Sequence, residues 1–226
     1  MNLIPCALAD VAHLFTRYHG YKSVGNLATY CHAVYEDGQP VAAFVWNPPP
    51  PGACAALSAA PGGAGVLALS RMVAVPKDER RLQKISKPLR KIMRDDRLID
   101  RGRWPVLVTY SDASLTGPSG RPHSGHVYLC SGWTRDVDVS RPYYEDPTGA
   151  RVSSYANGQT DTQGKERAGM TVLTRWVHRV CPPGEEEAWL DAHGWHRTRD
   201  DGKRWASGSP VQTWTWRDPR QAALFG

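Results

Sequence analysis

No apolar run in this chain approaches the ~20 residues needed to span a bilayer, and its amino terminus has neither the basic head nor the cleavage site of a secretion signal. Both absences point to a soluble, cytoplasmic protein with no membrane partner. Cysteine is sparse as well: Cys6, Cys31, Cys54, Cys130 and Cys181 are odd in number and lack any CxxC spacing. A disulfide framework and a zinc module are therefore not indicated, and the five are expected to be reduced thiols, mostly buried. Internal repeats are absent too, as is any composition break that would mark a domain boundary. The expectation is one domain over residues 1–226, with a core of about 9–180 and a C-terminal elaboration of about 181–226.

What is present is a 41% hydrophobic composition, enough for a sizeable core, and a net charge of +6. The positive excess is concentrated between Arg71 and Arg103, which fits a polyanionic partner. Nine tryptophans and nine tyrosines add flat faces on which a nucleobase can stack. The plainer reading of the same residues is a solvated helix face and an aromatic core.

The chain is organised around residues 66–133. Val66 to Val75 and Val106 to Asp112 are β-branched apolar runs separated by a segment long enough for a crossover helix, so they are expected to be parallel neighbours. Ligands of such sheets sit beyond the carboxyl ends of the strands, here Arg71 on one run and Tyr110, Ser111 and Asp112 on the other. In the crossover helix Ser86 is the expected N-cap and Pro88 falls in the first turn, where its missing amide hydrogen is harmless. Leu89, Ile92 and Met93 share one face of that helix, while Lys87, Arg90, Lys91 and Arg94 fall elsewhere, and its amino end offers free amides to an anion.

Upstream, Val11, Leu14, Phe15 and Tyr18 recur at helical spacing and Gly20 ends the run. Tyr18 to Ser23 reads as a polar, aromatic loop able to reach over a site. Asp37-Gly38 between two strand-like runs, 30–35 and 41–46, is a hairpin signal. Residues 52–65, rich in glycine, alanine and proline, read as a flexible loop. Downstream, strands are expected near 135–144, 151–155 and 170–177, a loop at 156–169, an acid-headed helix at 185–193, and a last strand at 211–216 closing the sheet.

Tyr128-Leu129-Cys130-Ser131-Gly132-Trp133 resembles the YxxxG-aromatic end of the fourth helix in GNAT-fold acyltransferases. Tyr110-Ser111-Asp112, followed by His123-Ser124-Gly125 and then Tyr128, resembles more narrowly the signature of the phage Mom family. Supporting matches are Tyr18-His19-Gly20-Tyr21, Asp37-Gly38 and Leu69-Ser70-Arg71. The resemblance implies an α/β, GNAT-like fold: a mixed, mostly antiparallel sheet with a splayed central parallel pair flanked by helices. It also implies an enzyme of the host cytoplasm that adds a carbamoylmethyl (methylcarbamoyl) group to adenine N6 in double-stranded DNA, with the adenine flipped out, protecting that DNA from restriction. Two departures stand out. Lys77 to Gln83 contains no glycine where GNAT enzymes carry a glycine-rich pyrophosphate loop, so an acyl-CoA-type donor lacks its usual seat. Pro122 replaces the glycine before the signature histidine, and the loop from Asp112 to His123 is longer than usual.

Transfer to the delocalised amine of adenine needs a positioned base, charge stabilisation and an activated donor. Asp112 and Tyr128 are the first candidates, as proton acceptor or orienting group and as proton donor to a leaving group, with Ser111 and His123 behind them. Their structural alternatives are an aspartate capping the next loop and a tyrosine that only packs. Arg71, Ser86, Tyr110, His19, Tyr21 and Trp133 are candidates for holding donor or base, and Lys84, Lys87, Arg90 and Lys91 for DNA phosphates. The donor itself is unassigned, and iron or another metal on His19, His123 and Tyr128 is an option the resemblance permits. Rival readings are a conventional GNAT N-acetyltransferase acting on a protein or small-molecule amine, and a non-catalytic DNA-binding protein.

Overall fold

The computed structural model describes residues 1–21, 28–78, 81–82, 84–116, 120, 122–148, 151–152, 155–156, 159–160, 165–197 and 214–216. Strand β1 (Asn2–Pro5), helix α1 (Leu8–Tyr18) and the hairpin β2 (Tyr30–Glu36) and β3 (Gln39–Asn47) open the chain. Asp37 and Gly38 take φ of 51° and 77°, the left-handed pair that a two-residue hairpin turn requires. Helix α2 (Pro51–Ala55) leads through a 3-10 turn (Pro61–Gly63) into β4 (Val66–Ala74), the small pair β5 (Pro76–Asp78) and β6 (Arg81–Leu82), and α3 (Ser86–Arg94). Then come β7 (Val106–Asp112), α4 (His126–Ser131), β8 (Thr134–Glu145), β9 (Arg151–Val152), β10 (Tyr155–Ala156), β11 (Gln159–Thr160), β12 (Glu166–Arg179), α5 (Glu186–Ala192), β13 (Trp195–Arg197) and β14 (Trp214–Trp216).

Eight strands form one sheet in the order β1-β2-β3-β4-β7-β12-β8-β9. All neighbours are antiparallel except β4 and β7, the expected parallel pair. Strand alternation gives the sheet two apolar faces. Phe44, Trp46, Leu67, Leu69 and Leu107 pack with Leu89, Ile92 and Met93 of α3 and Tyr128 of α4. Ala33, Ala43, Val45 and Val73 pack with Val11, Leu14 and Phe15 of α1. No helix among the described residues is long and apolar enough to cross a membrane.

Several expectations are corrected. Residues 52–65 are built rather than flexible: Leu57 and Ala60 are buried, the Ser58 hydroxyl donates to the Ala64 carbonyl at 2.6 Å, and Gly63 adopts φ 71° where a Cβ would lie 2.4 Å from the Ala55 amide nitrogen. Composition misread this segment because what orders it comes from α5, over a hundred residues away. The Glu186 carboxylate, 1% exposed, accepts the Ala59 amide at 3.2 Å, while Arg179 bonds Glu186 at 2.5 Å and the Leu57 carbonyl at 2.7 Å. Ser86 is not the N-cap of α3; Ile85 is, without a side-chain cap, and Ser86 is the first helical residue.

The last strand does not close the main sheet. Trp214 to Trp216 pairs with β13 in a separate two-stranded sheet, and residues 211–213 lie outside the described residues. Residues 156–169 include β11 and the start of β12, which reaches back to Glu166 because it runs beside β8. Of the five cysteines, all unbridged, only Cys31 and Cys181 are buried; the other three are half-buried, with the Cys6 and Cys31 sulfurs 3.6 Å apart.

Removing one partner of a buried ion pair strands the other charge, so Glu186→Ala is expected to destabilise the chain by about 3–5 kcal/mol. Urea unfolding measures this; an unchanged midpoint would show that the loop at 52–65 does not depend on α5.

Candidate active site

The site begins where the β4–β7 ladder stops. Val66 pairs with Val106, Leu67 with Leu107 and Ala68 with Val108, and no further rung follows. The cause lies on the other edge of β4. Trp46 pairs with Leu69 but Val45 pairs with Arg71, so Ser70 is an extra residue, a β-bulge that bends β4 away from β7. The Ser70 hydroxyl stabilises it by donating to the Val45 carbonyl at 3.1 Å and accepting from Asn47 Nδ2 at 3.3 Å.

Beyond the bulge, Arg71 lies with its guanidinium 5.3 Å over the Tyr21 ring. Its Nη1 donates to the Ser70 carbonyl at 2.8 Å, its Nε is buried without a hydrogen-bond partner among the described residues, and burial pushes its pKa down. Tyr21 is half-buried, and its hydroxyl is pushed above the usual tyrosine value by burial and by the Asp112 charge, with Arg151 and Arg71 opposing. His19 stacks on Tyr21 at 5.8 Å, its Nδ1 accepting the Tyr21 amide at 3.2 Å.

Asp112, 4% exposed, is heavily engaged. Its Oδ2 accepts from Arg151 Nη1 at 2.9 Å, and its Oδ1 accepts the Ser114 amide at 3.0 Å, the Ser114 hydroxyl at 2.5 Å and the Thr171 hydroxyl at 3.0 Å. It therefore caps the following loop and neutralises Arg151, which lies 4.0 Å over the Tyr143 ring. Ser111 is likewise occupied, accepting from Trp176 Nε1 at 2.9 Å.

Tyr128 is 2% exposed, and burial pushes its phenol up to about 12 against a hydrogen bond from Thr109. It stays protonated through the physiological range and is a proton donor, not a base. The His123 ring lies 5.6 Å from it, held below the usual histidine value by burial with the Asp112 charge opposing, and therefore neutral at pH 7. The signature glycine has a direct cause: Gly125 has φ 77° and a Cβ there would sit 2.5 Å from the Trp176 ring.

Arg71, Tyr21, His19, Asp112, His123 and Tyr128 thus gather around the splay, joined by a cation–π contact, ring contacts and Coulombic coupling. Trp133 does not offer a stacking face: it is 2% exposed, stacks on Trp46 at 6.4 Å and meets Tyr128 edge-on, so it backs the phenol from within the core. Tyr110 packs with Val106 and Val108 beneath the Arg141 guanidinium. Ser86 is half-buried at the start of α3, its carbonyl accepting from Ser131 Oγ at 3.2 Å. Lys84, Lys87, Arg90 and Lys91 are all exposed, with Arg90 also donating to the Cys130 carbonyl. The glycine-free turn at 77–83 lies partly outside the described residues. Among the described residues no three His, Cys, Asp or Glu side chains are grouped to hold a metal.

Sequence reasoning missed Thr109, Ser114, Arg151, Thr171 and Trp176. Only Trp176 carried a signal, as part of the weak match at Arg175-Trp176-Val177.

No family model matches the chain, and no curated protein does. Among solved structures it is similar to the ribosomal-protein-S18-alanine N-acetyltransferase from Escherichia coli, at 13% identity over 81% of this chain and 96% of that one, with a TM-score of 0.48. The ribosomal-protein-alanine N-acetyltransferase from Brucella melitensis follows at 11% identity, 80% and 100% coverage and 0.46. The GphF GNAT-like decarboxylase in complex with isobutyryl-CoA matches at 14%, 80% and 100%, and 0.40. By strand order and splay, the fold is GNAT-like. Such distant likenesses carry nothing about activity, which rests on the site.

Asp112→Asn should cost about 3–5 kcal/mol, because Arg151 then loses its buried counter-charge. Adding Arg151→Met should recover part of the loss. Additive losses in chemical unfolding would show that the two side chains do not act as a pair.

Proposed function

We propose that this chain is a DNA-modifying transferase of the Mom type, placing a carbamoylmethyl (methylcarbamoyl) group on adenine N6 and so shielding the DNA from restriction. The observation that carries this reading is the presence, at one splay, of a half-buried arginine whose buried Nε has no hydrogen-bond partner among the described residues and a buried tyrosine that stays protonated. A guanidinium in that state is a seat for an anionic group, since pairing and hydrogen bonding offset the cost of burying the charge. Asp112 cannot serve as its partner, because Arg151, Ser114 and Thr171 already engage both carboxylate oxygens.

In this reading Arg71 and Tyr21 hold the anionic end of a small donor. The adenine N6 forms a bond to the donor carbon while the bond from that carbon to its leaving group breaks. Tyr128 gives its proton to the departing group, and the proton shed by the amine passes to His123, whose imidazole is neutral. The target base must first leave the helix stack, which calls for cations on the flanking phosphates. Lys84 just ahead of α3 and Lys87, Arg90 and Lys91 on its exposed side supply them.

Expression in a bacterial host should yield a new adenosine adduct, read by mass spectrometry of nucleosides from total DNA. Soluble, folded protein with only unmodified nucleosides would overturn the reading. Neutralising Lys84, Lys87, Arg90 and Lys91 together should weaken DNA binding and reduce the log-log salt slope by roughly 3.6, at ~0.9 per phosphate contact. An unchanged slope would move the DNA surface off α3.

A further inference from the structure

At the β1 edge of the sheet two thiols face each other. Pro5 pairs with His32, and the next residue, Cys6, donates its amide to the Cys31 carbonyl at 3.0 Å. Cys6 and Cys31 are therefore directly opposite in an antiparallel, hydrogen-bonded pair, and both side chains lie on the face that packs α1. Such a pair holds its Cα atoms about 5.5 Å apart, inside the roughly 4.4–6.8 Å that a disulfide spans. The sulfurs stand 3.6 Å apart. Rotation about the two Cα–Cβ bonds, without movement of the strands, brings them to the ~2.05 Å of a bond. Cys31 is 7% exposed, whereas Cys6 is half-buried and meets solvent. The other three thiols have different neighbours: Cys54 donates to the Pro49 carbonyl, Cys130 lies against His126 Nε2, and Cys181 is buried.

We propose that Cys6 and Cys31 are a redox pair that closes to a disulfide under hydrogen peroxide and opens again under a dithiol. The exposure of the two thiols sets the order of events. The Cys6 sulfur, as thiolate, attacks one peroxide oxygen; the O–O bond breaks, the departing oxygen takes up a proton to leave as water, and Cys6 becomes a sulfenic acid. The Cys31 sulfur then attacks the Cys6 sulfur, the S–O bond breaks, and the departing hydroxide leaves with the Cys31 proton as a second water. The dithiol loses two electrons and the peroxide gains them. The segment between the two cysteines forms α1 and carries His19 and Tyr21, the ring beneath the Arg71 guanidinium. A cross-link between positions 25 apart in sequence restricts the unfolded chain. Oxidation thus staples the ends of that segment to each other and to the sheet while leaving every residue of the splay chemically unchanged.

Peptide mapping tests the pair. The purified full chain, treated with hydrogen peroxide, alkylated and digested without reductant, should give a cross-linked peptide joining Cys6 to Cys31, with Cys54, Cys130 and Cys181 outside the link. Dithiothreitol should return both thiols. In Cys31→Ser the same treatment should stop at a Cys6 sulfenic acid, which dimedone traps at least about tenfold more than in the parent. A different linkage, or Cys6 trapped as fully in the parent as in Cys31→Ser, would overturn the inference. Urea unfolding tests the staple. The oxidised parent should have an unfolding constant at least about tenfold smaller than the reduced parent, and Cys6→Ser should show no such gain on the same treatment. A linked chain no more stable than the reduced one would show that the bond forms only by distorting the strand pair, and the staple would be refuted.

Discussion

One extra residue in β4 sets the rest of the site. Side chains alternate along a strand, so without the bulge at Ser70 Arg71 would share the face of Leu67 and Leu69 and enter the core beneath α3. With it, Met72 and Ala74 return to that face and Arg71 pairs with Val45, on the side where α1 and Tyr21 lie. The same bend ends the parallel ladder after Ala68. A single insertion therefore opens the sheet, turns a cation to the other face and leaves one carbonyl for Thr109 to satisfy. These effects are mechanically inseparable, because all follow from the direction β4 takes after Leu69.

The legible parts of the fold are those with local causes. Helix α1, the Asp37-Gly38 hairpin, β4, α3, β7 and α5 each follow from periodicity or turn chemistry inside a window of a dozen residues. What escaped the sequence depends on distant partners. Residues 52–65 look mobile by composition and are held by Glu186 and Arg179. Strand β1 carries no alternation of its own and exists because β2 offers an edge from Tyr35 to His32. The bulge has no local mark at all: Leu69-Ser70-Arg71 reads as uninterrupted strand.

The site was legible in membership more than in roles. His123 packs on Tyr128 and Arg71 lies over Tyr21 beyond the bulge, yet Ser111 and Asp112 spend their oxygens on Trp176 and Arg151. A motif records which residues must be present, and a residue that fixes its neighbours is as necessary as one that meets a ligand. Gly125 belongs to the first kind, since the Trp176 ring occupies the space a side chain would need. Ser111 holds that ring by its indole nitrogen, so Tyr110-Ser111-Asp112 and His123-Ser124-Gly125 converge on Trp176.

The positive charge divides along the same line. Arg151 and Arg179 are consumed by Asp112 and Glu186, and Arg103 lies between Trp104 and Trp195, 4.8 and 4.6 Å from their rings. Arg101, buried to 5% and pushed down to about 10 by desolvation, donates to the Pro105 carbonyl. Cations committed in this way cannot release counterions from a polyanion, because they enter no new phosphate contact when it binds. Net charge thus overstates what is available to a nucleic acid. The exposed cations of α3 are different: Leu89, Ile92 and Met93 turn into the core and leave Lys87, Arg90, Lys91 and Arg94 in solvent, with Lys84 exposed just ahead of the helix. Under the proposed reading, the helix that closes one face of the sheet is for that reason also the surface on which a phosphate backbone would gain most, and the hydrogen bond from Ser131 of α4 to Ser86 links that helix to the segment bearing Tyr128.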